Sequence, residues 1–209
     1  MILAAALLLA LASQNGDIIS TAIERYGAVD SYQVTLRSRS SDTYEVIRYY
    51  YKRPGFVRME FVTPHKGAVL VYDPLKKVVA LRPFGFFRPF VLRLDPDNRL
   101  VKSSKGHRVD QSDIGFLLGL ARELQADGAT EMVGEEAVNG REALHVRVTG
   151  KDDTVVRGEI NGYSIWLDRE LMFPIKVISY DSDGEVIEEV LMDDLEVNPK
   201  LSEDSFLFK

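Results

Sequence analysis

The 209-residue chain contains no cysteine. That excludes disulfides, thiolate metal sites and a cysteine nucleophile together. It also excludes lipidation at an N-terminal cysteine. Histidine is scarce: there are three, His65, His107 and His145, and none has a second histidine at metal-ligating spacing. Each reads as an ordinary surface residue. A basic excess is missing, since the formal net charge is −6 and the pI is near 5.2, so no nucleic acid is expected as a partner. No apolar run reaches the roughly 20 residues of a membrane-spanning helix, so no transmembrane segment is expected in the mature protein.

Catalytic signatures are absent as well. There is no G-x-S-x-G elbow, no phosphate-cradling glycine loop and no H-E-x-x-H. The acidic doublets Glu135-Glu136, Asp152-Asp153, Glu188-Glu189 and Asp193-Asp194 do not make acid–base pairs, because neighbours on a strand point to opposite faces. The run from Ser179 to Gly184 has the wrong first and closing residues for a calcium loop and reads as a hairpin turn. No enzyme activity, catalytic residue, metal or cofactor is therefore expected.

What is present is an ordinary soluble mixture, 45% hydrophobic and 28% charged, of a length that suits one domain. Ile2 to Ala12 is an unbroken apolar stretch, with small residues at Ala10, Ala12 and Ser13 where it ends. This fits a secretory signal peptide over residues 1–13, although no Lys or Arg precedes the run. The alternative is a first helix buried in the core. Export leaves residues 14–209 as a single mature domain.

The pattern then reads helix, strands, irregular segment, helix, strands. Ile18, Ile19, Ala22, Ile23 and Tyr26 repeat at helical spacing up to Gly27. Short alternating segments follow, from Tyr32–Leu36 to Val78–Leu81, with turn residues between them, as in an antiparallel meander. Ile114, Leu117, Leu118, Ala121 and Leu124 form the stripe of a second helix, with Ser112 as its expected N-cap and Gly128 as its stop. Strands resume near residue 130 and run to Val197.

Two features stand out. Phe84, Phe86, Phe87 and Phe90 crowd a segment broken by Pro83, Gly85 and Pro89. They form either a lid over an apolar cavity or a plug at the end of the core. Between Arg82 and Arg108 there are seven basic residues against two acidic ones, Asp95 and Asp97. A basic, aromatic rim on an acidic body suits anionic headgroups or an acidic partner.

The stretch Tyr51-Lys52-Arg53-Pro54-Gly55-Phe56-Val57-Arg58-Met59-Glu60-Phe61, with Pro64, Gly67 and Val71-Tyr72-Asp73-Pro74, resembles the LolA-type periplasmic lipoprotein carriers. So do Ile165-Trp166-Leu167-Asp168, Phe173-Pro174-Ile175-Lys176, Tyr180-Asp181, Gly184 and Asn198-Pro199 through Phe206. The resemblance implies an α+β, mainly β fold: an unclosed antiparallel barrel whose concave apolar face is covered by helices. It implies a periplasmic carrier of the acyl chains of a lipoprotein or lipid, taken from an inner-membrane donor complex and passed to an outer-membrane acceptor. Cavity and lid candidates are Val57, Met59, Phe61, Phe84, Phe86, Phe87, Phe90, Leu117, Leu118 and Leu120. Arg53 is implied as a latch that hydrogen-bonds helix backbone. The same fold serves RseB-like envelope-stress regulators as a lipid-sensing or protein-interaction module. Those carry a second domain, for which this chain is too short. The LolB receptor role, which needs a lipidated cysteine, is excluded.

Overall fold

The computed structural model describes residues 17–84, 90–103, 105–152 and 154–208. The expected signal peptide, Phe86 and Phe87 lie outside the described residues. Helix α1 spans Ile18–Gly27 and is followed by β1 (Ser31–Arg39), β2 (Tyr44–Lys52), β3 (Phe56–Thr63), β4 (Val69–Asp73), β5 (Val78–Arg82) and β6 (Leu92–Leu94). Helix α2 spans Ile114–Asp127, and β7 (Ala129–Val138), β8 (Arg141–Thr149), β9 (Gly162–Asp168), β10 (Pro174–Tyr180) and β11 (Val186–Val197) complete the order.

All eleven strands join one antiparallel sheet, ordered β6-β5-β4-β3-β2-β1-β11-β10-β9-β8-β7. Two meanders run outwards from a central seam where the first strand pairs with the last, Tyr32 opposite Val197 and Arg39 opposite Glu189. The outer strands β6 and β7 do not meet, so the sheet curls without closing. This is the mainly β, unclosed barrel expected from the sequence.

Local chemistry sets the register. The β4–β5 turn is built on Asp73, whose carboxylate accepts the backbone N–H groups of Leu75 and Lys76. Asn139 and Gly140 both take positive φ between β7 and β8, the geometry of a two-residue hairpin. Asp181 accepts from the N–H groups of Asp183 and Glu185 to close the β10–β11 turn. With register fixed, the alternating side chains Tyr32, Val34, Leu36 and Tyr49, Tyr51 and Val57, Met59, Phe61 fall on the concave face.

Helix α2 covers the β7–β9 wing of that face. Its stripe of Ile114, Leu118, Ala121 and Leu124 is buried, at ~1.5–3 kcal/mol for each large aliphatic side chain. The N-cap is Asp113, which accepts from the N–H groups of Gly115 and Phe116. This corrects the expectation of Ser112, whose hydroxyl instead donates to the Val109 carbonyl at 2.6 Å. Gly128 ends the helix for a different reason from the usual one: its φ is negative, but a Cβ there would lie 2.0 Å from the Thr149 carbonyl oxygen. The two helices pack antiparallel, with Gln125 donating to Asp17 at one end and the Tyr26 hydroxyl donating to Asp113 at the other.

The convex face carries two smaller clusters. Phe206, from the C-terminal segment, packs on Val69 and Val71. Ala143, Trp166 and Ile175 form the other. Here His145 departs from its expected surface position: it stacks on Trp166 with ring centroids 4.0 Å apart, and its side chain is only 12% exposed. Its place on the polar phase of β8 misled because the outer face also packs.

Candidate functional site

Beside the helices lies the part of the concave face formed by β1–β5 and β11. There the sheet, the face of α2 bearing Leu117 and Leu120, and the connection from β5 to α2 enclose a cavity of about 790 Å³. The wall from the sheet is mostly apolar: Val34 and Leu36 of β1, Ile47 of β2, Met59 and Phe61 of β3, Leu70 of β4, and Val190 and Met192 of β11. Such a volume is typical of ligand sites, and the apolar floor that the sheet supplies favours an apolar occupant.

One end is closed by aromatic rings. Tyr32 stacks against Tyr49 and Tyr51, with centroids 5.7 and 5.0 Å away, and meets Phe173 edge-on. Their hydroxyls are used. Tyr32 accepts the N–H of Ile114 at 3.2 Å, and Tyr49 shares a 3.0 Å hydrogen bond with Ser112. Burial pushes the phenol of Tyr32 far above its ordinary range, so this group stays neutral. Three tyrosines, Tyr26 of α1, Tyr32 of β1 and Tyr49 of β2, thus fix the start of α2. Helix α2 is held near its other end as well, where Gln125 donates to Asp17.

The opposite end is polar. Glu45 and Glu188 both line it, and Ser38 donates to Glu188. Burial, then the neighbouring Glu188 charge, raises the Glu45 carboxyl above the usual range, against an opposing pull from His65. On the side wall, Arg157 donates to the Gln111 carbonyl and lies over the Phe116 ring, 5.0 Å from its centroid. Its Nε is buried without a partner. Burial lowers the guanidinium pKa. His107 is held down to about 4 by burial and by the charges of Arg157 and Lys105.

The residues singled out from the sequence separate into groups. Met59, Phe61, Phe84, Leu117 and Leu120 line the cavity. Val57 and Leu118 do not: they are 2% and 0% exposed and belong to the packed core. Phe90 is 61% exposed and outside the lining. Phe86 and Phe87 fall outside the described residues. Arg53 donates through Nε to the Val29 carbonyl at 2.6 Å, and through Nη2 to those of Tyr26 at 3.1 Å and Gly27 at 2.9 Å. It therefore binds two carbonyls in the last turn of α1 and one just beyond it.

Sequence reasoning missed Glu45, Glu188, His107 and Arg157. The first two carried a signal, since each falls on the inward phase of its strand. His65, expected as a surface residue, is exposed and borders the cavity, whereas His107 is half-buried in its lining. Arg157 has no local signal, because an irregular connection places it. Among the described residues no group of acidic or histidine side chains could hold a metal ion, and no helix is long and apolar enough to cross a membrane.

No curated protein matches the chain in sequence. Solved structures share its fold. An uncharacterised conserved protein from Thermus thermophilus aligns at a TM-score of 0.55 and 12% identity, over 90% of each chain. MucB aligns at a TM-score of 0.58 and 18% identity over 93% of this chain. The chain spans 64% of MucB, less than two thirds of its length. The lipoprotein LppX of Mycobacterium tuberculosis aligns at 0.56 and 9% identity, covering 88% of this chain and 95% of that one. A LolA-superfamily protein from Nitrosomonas europaea is also among the structural neighbours, at a TM-score of 0.38 and 14% identity over 91% of this chain and 96% of that one. Residues 95–207, from just after β6 through the C-terminal segment, match the MucB/RseB N-terminal domain. That match takes in more than half of the sequence, and the chain accordingly belongs to the MucB/RseB N-terminal domain family.

Proposed function

We propose that the protein binds the acyl chains of a lipid or lipoprotein in the concave cavity and carries them through the periplasm. The observation that supports this most directly is the apolar wall of the 790 Å³ cavity, formed by Met59, Phe61, Leu70, Leu117 and Leu120. Each methylene moved from water into it contributes ~0.8 kcal/mol. Release then requires an acceptor that binds more tightly or a change in the cavity. A carrier of this kind takes cargo from a donor complex at the inner membrane and passes it to an acceptor at the outer membrane. The reading assigns no catalytic step.

Family membership favours a second reading. MucB has been crystallised with MucA. In this reading the chain is an envelope regulator that binds a partner protein, and occupancy of the cavity tunes that binding.

The test is uptake of a fluorescent acyl probe, with native mass spectrometry of protein taken from its own cell envelope. Saturable uptake, displaced by unlabelled fatty acid and lost in Leu120→Trp, supports acyl binding. No uptake by the folded protein would overturn it. Transfer of probe to acceptor vesicles separates carriage from sensing.

A further inference from the structure

We infer that the mouth of the cavity is a docking surface for an anionic lipid bilayer. The described residues of the connection between β5 and α2 supply this rim. Leu92, Arg99, Leu100 and Lys102 all line the cavity from it. Yet Leu92 and Leu100 are 40% and 66% exposed, and Phe90, two residues before Leu92, is 61% exposed. Leu92 and Leu100 thus face water while bordering an apolar chamber, and Phe90 is exposed close to them in sequence. Large exposed apolar groups grouped around an opening mark an interaction surface.

The charge around them selects the partner. From residue 90 to residue 110 there are five basic residues, Arg93, Arg99, Lys102, Lys105 and Arg108, and three acidic ones, Asp95, Asp97 and Asp110, while the whole chain carries −6. Asp97 is engaged by Lys102 at 3.3 Å and by Arg108 at 2.7 Å, and Asp110 also pairs with Arg108. Asp95 accepts the backbone N–H of Asp97. The acidic groups of the rim are thus satisfied within it, and positive charge is left over. A membrane interface accepts both halves of this pattern: isolated Leu and Phe side chains enter the headgroup boundary, and each basic residue near an anionic surface adds attraction. An acidic protein partner would use the charge but would need a complementary apolar surface of its own. Docking in this orientation sets the cavity mouth against the bilayer, so an acyl chain moves between them without crossing water.

The experiment is co-flotation of the full chain with vesicles of phosphatidylcholine alone and of phosphatidylcholine mixed in equal parts with phosphatidylglycerol. Binding is expected to the mixed vesicles only, and to fall as salt rises. Arg99→Ala is expected to weaken it about fivefold, the worth of one basic residue at an anionic surface. Phe90→Ser and Leu100→Ser should weaken it further, with thermal unfolding unchanged because both side chains are exposed. Equal binding to both vesicle types, or full binding by the Ser variants, would overturn the proposal. So would an absence of vesicle binding, and retention on an acidic polypeptide matrix in that case would assign the rim to a protein partner. Phe90 lies outside the cavity lining, so Phe90→Ser should still take up acyl probe from solution. This keeps the docking result separate from the acyl-binding result.

Discussion

The Nε of Arg53 donates to the carbonyl of Val29 across 2.6 Å, tying the β2–β3 turn to the chain just beyond α1. With the further bonds to Tyr26 and Gly27, one side chain holds three carbonyls. Arg53→Ala is expected to lower stability by about 1.5–3 kcal/mol, the range for hydrogen bonds to a charged group. Hydrogen exchange should rise first in α1. Arg53→Lys should recover only part of the loss, because an ammonium cannot span the same fork. Denaturant unfolding of the three proteins checks this, and an unchanged midpoint for Arg53→Ala would remove the latch from the account.

Cavity and core residues on one helix should behave differently. Leu118 is fully buried, and Leu118→Ala is expected to cost about 2–5 kcal/mol of stability. Leu120, nearby on α2, faces the cavity. Leu120→Trp should fill space and block acyl-probe uptake while the unfolding midpoint stays near wild type. Parallel uptake and melting curves separate the two effects.

Gly128 and Gly115 are tight for different reasons. A Cβ on Gly128 would meet backbone, the Thr149 and Leu124 carbonyls at 2.0 and 2.5 Å. One on Gly115 would meet the Tyr26 ring, 2.6 Å from its Cε1. A side chain yields more readily than backbone. Both alanine variants should be destabilised, in the ~1–3 kcal/mol range of overpacked sites, with Gly128→Ala the worse. Equal midpoints would show that the β8–β9 connection gives way.

Acid should weaken the fold through His107. Its pKa is about 4 in the folded chain against an ordinary 6.5, so the unfolded chain binds the extra proton between those values. The contribution to stability is complete above pH 6.5 and is lost as pH falls towards 4. Glu45 acts in the opposite sense: its raised pKa adds stability at low pH that is lost as pH rises through the folded value. Melting temperature followed from pH 7 to pH 4.5 should therefore fall less in His107→Gln than in wild type. An identical slope would mean that His107 titrates freely.

The alternation of Tyr32, Val34 and Leu36, and of Val57, Met59 and Phe61, was enough to predict strands with one apolar face. The breakers around Phe84 and Phe90 marked an irregular connection between β5 and α2. Alternation could not say which inward residues meet a helix and which meet open space. Val57 and Phe61 share a phase, and only the placement of α2 and the β5–α2 connection puts one in the core and the other on the cavity wall. His145 shows the same limit from the outside, because a polar phase says nothing about a Trp166 ring lying over it. Arg157 was beyond reach, since its role comes from contacts with Gln111 and Phe116, 46 and 41 residues away in sequence.

The seam between β1 and β11 has a consequence for how the chain acquires its shape. The carboxamide of Asn198 accepts the N–H of Asp30, 168 residues earlier, and the Asn198 N–H returns to the Ser31 carbonyl. Each meander pairs through neighbouring strands, whereas the middle of the sheet closes through its most distant contacts, the most costly in chain entropy. Until residues 186–198 have left the ribosome there is no continuous concave wall. A nascent chain therefore has no finished chamber, and it stays open and threadable until its final strand arrives.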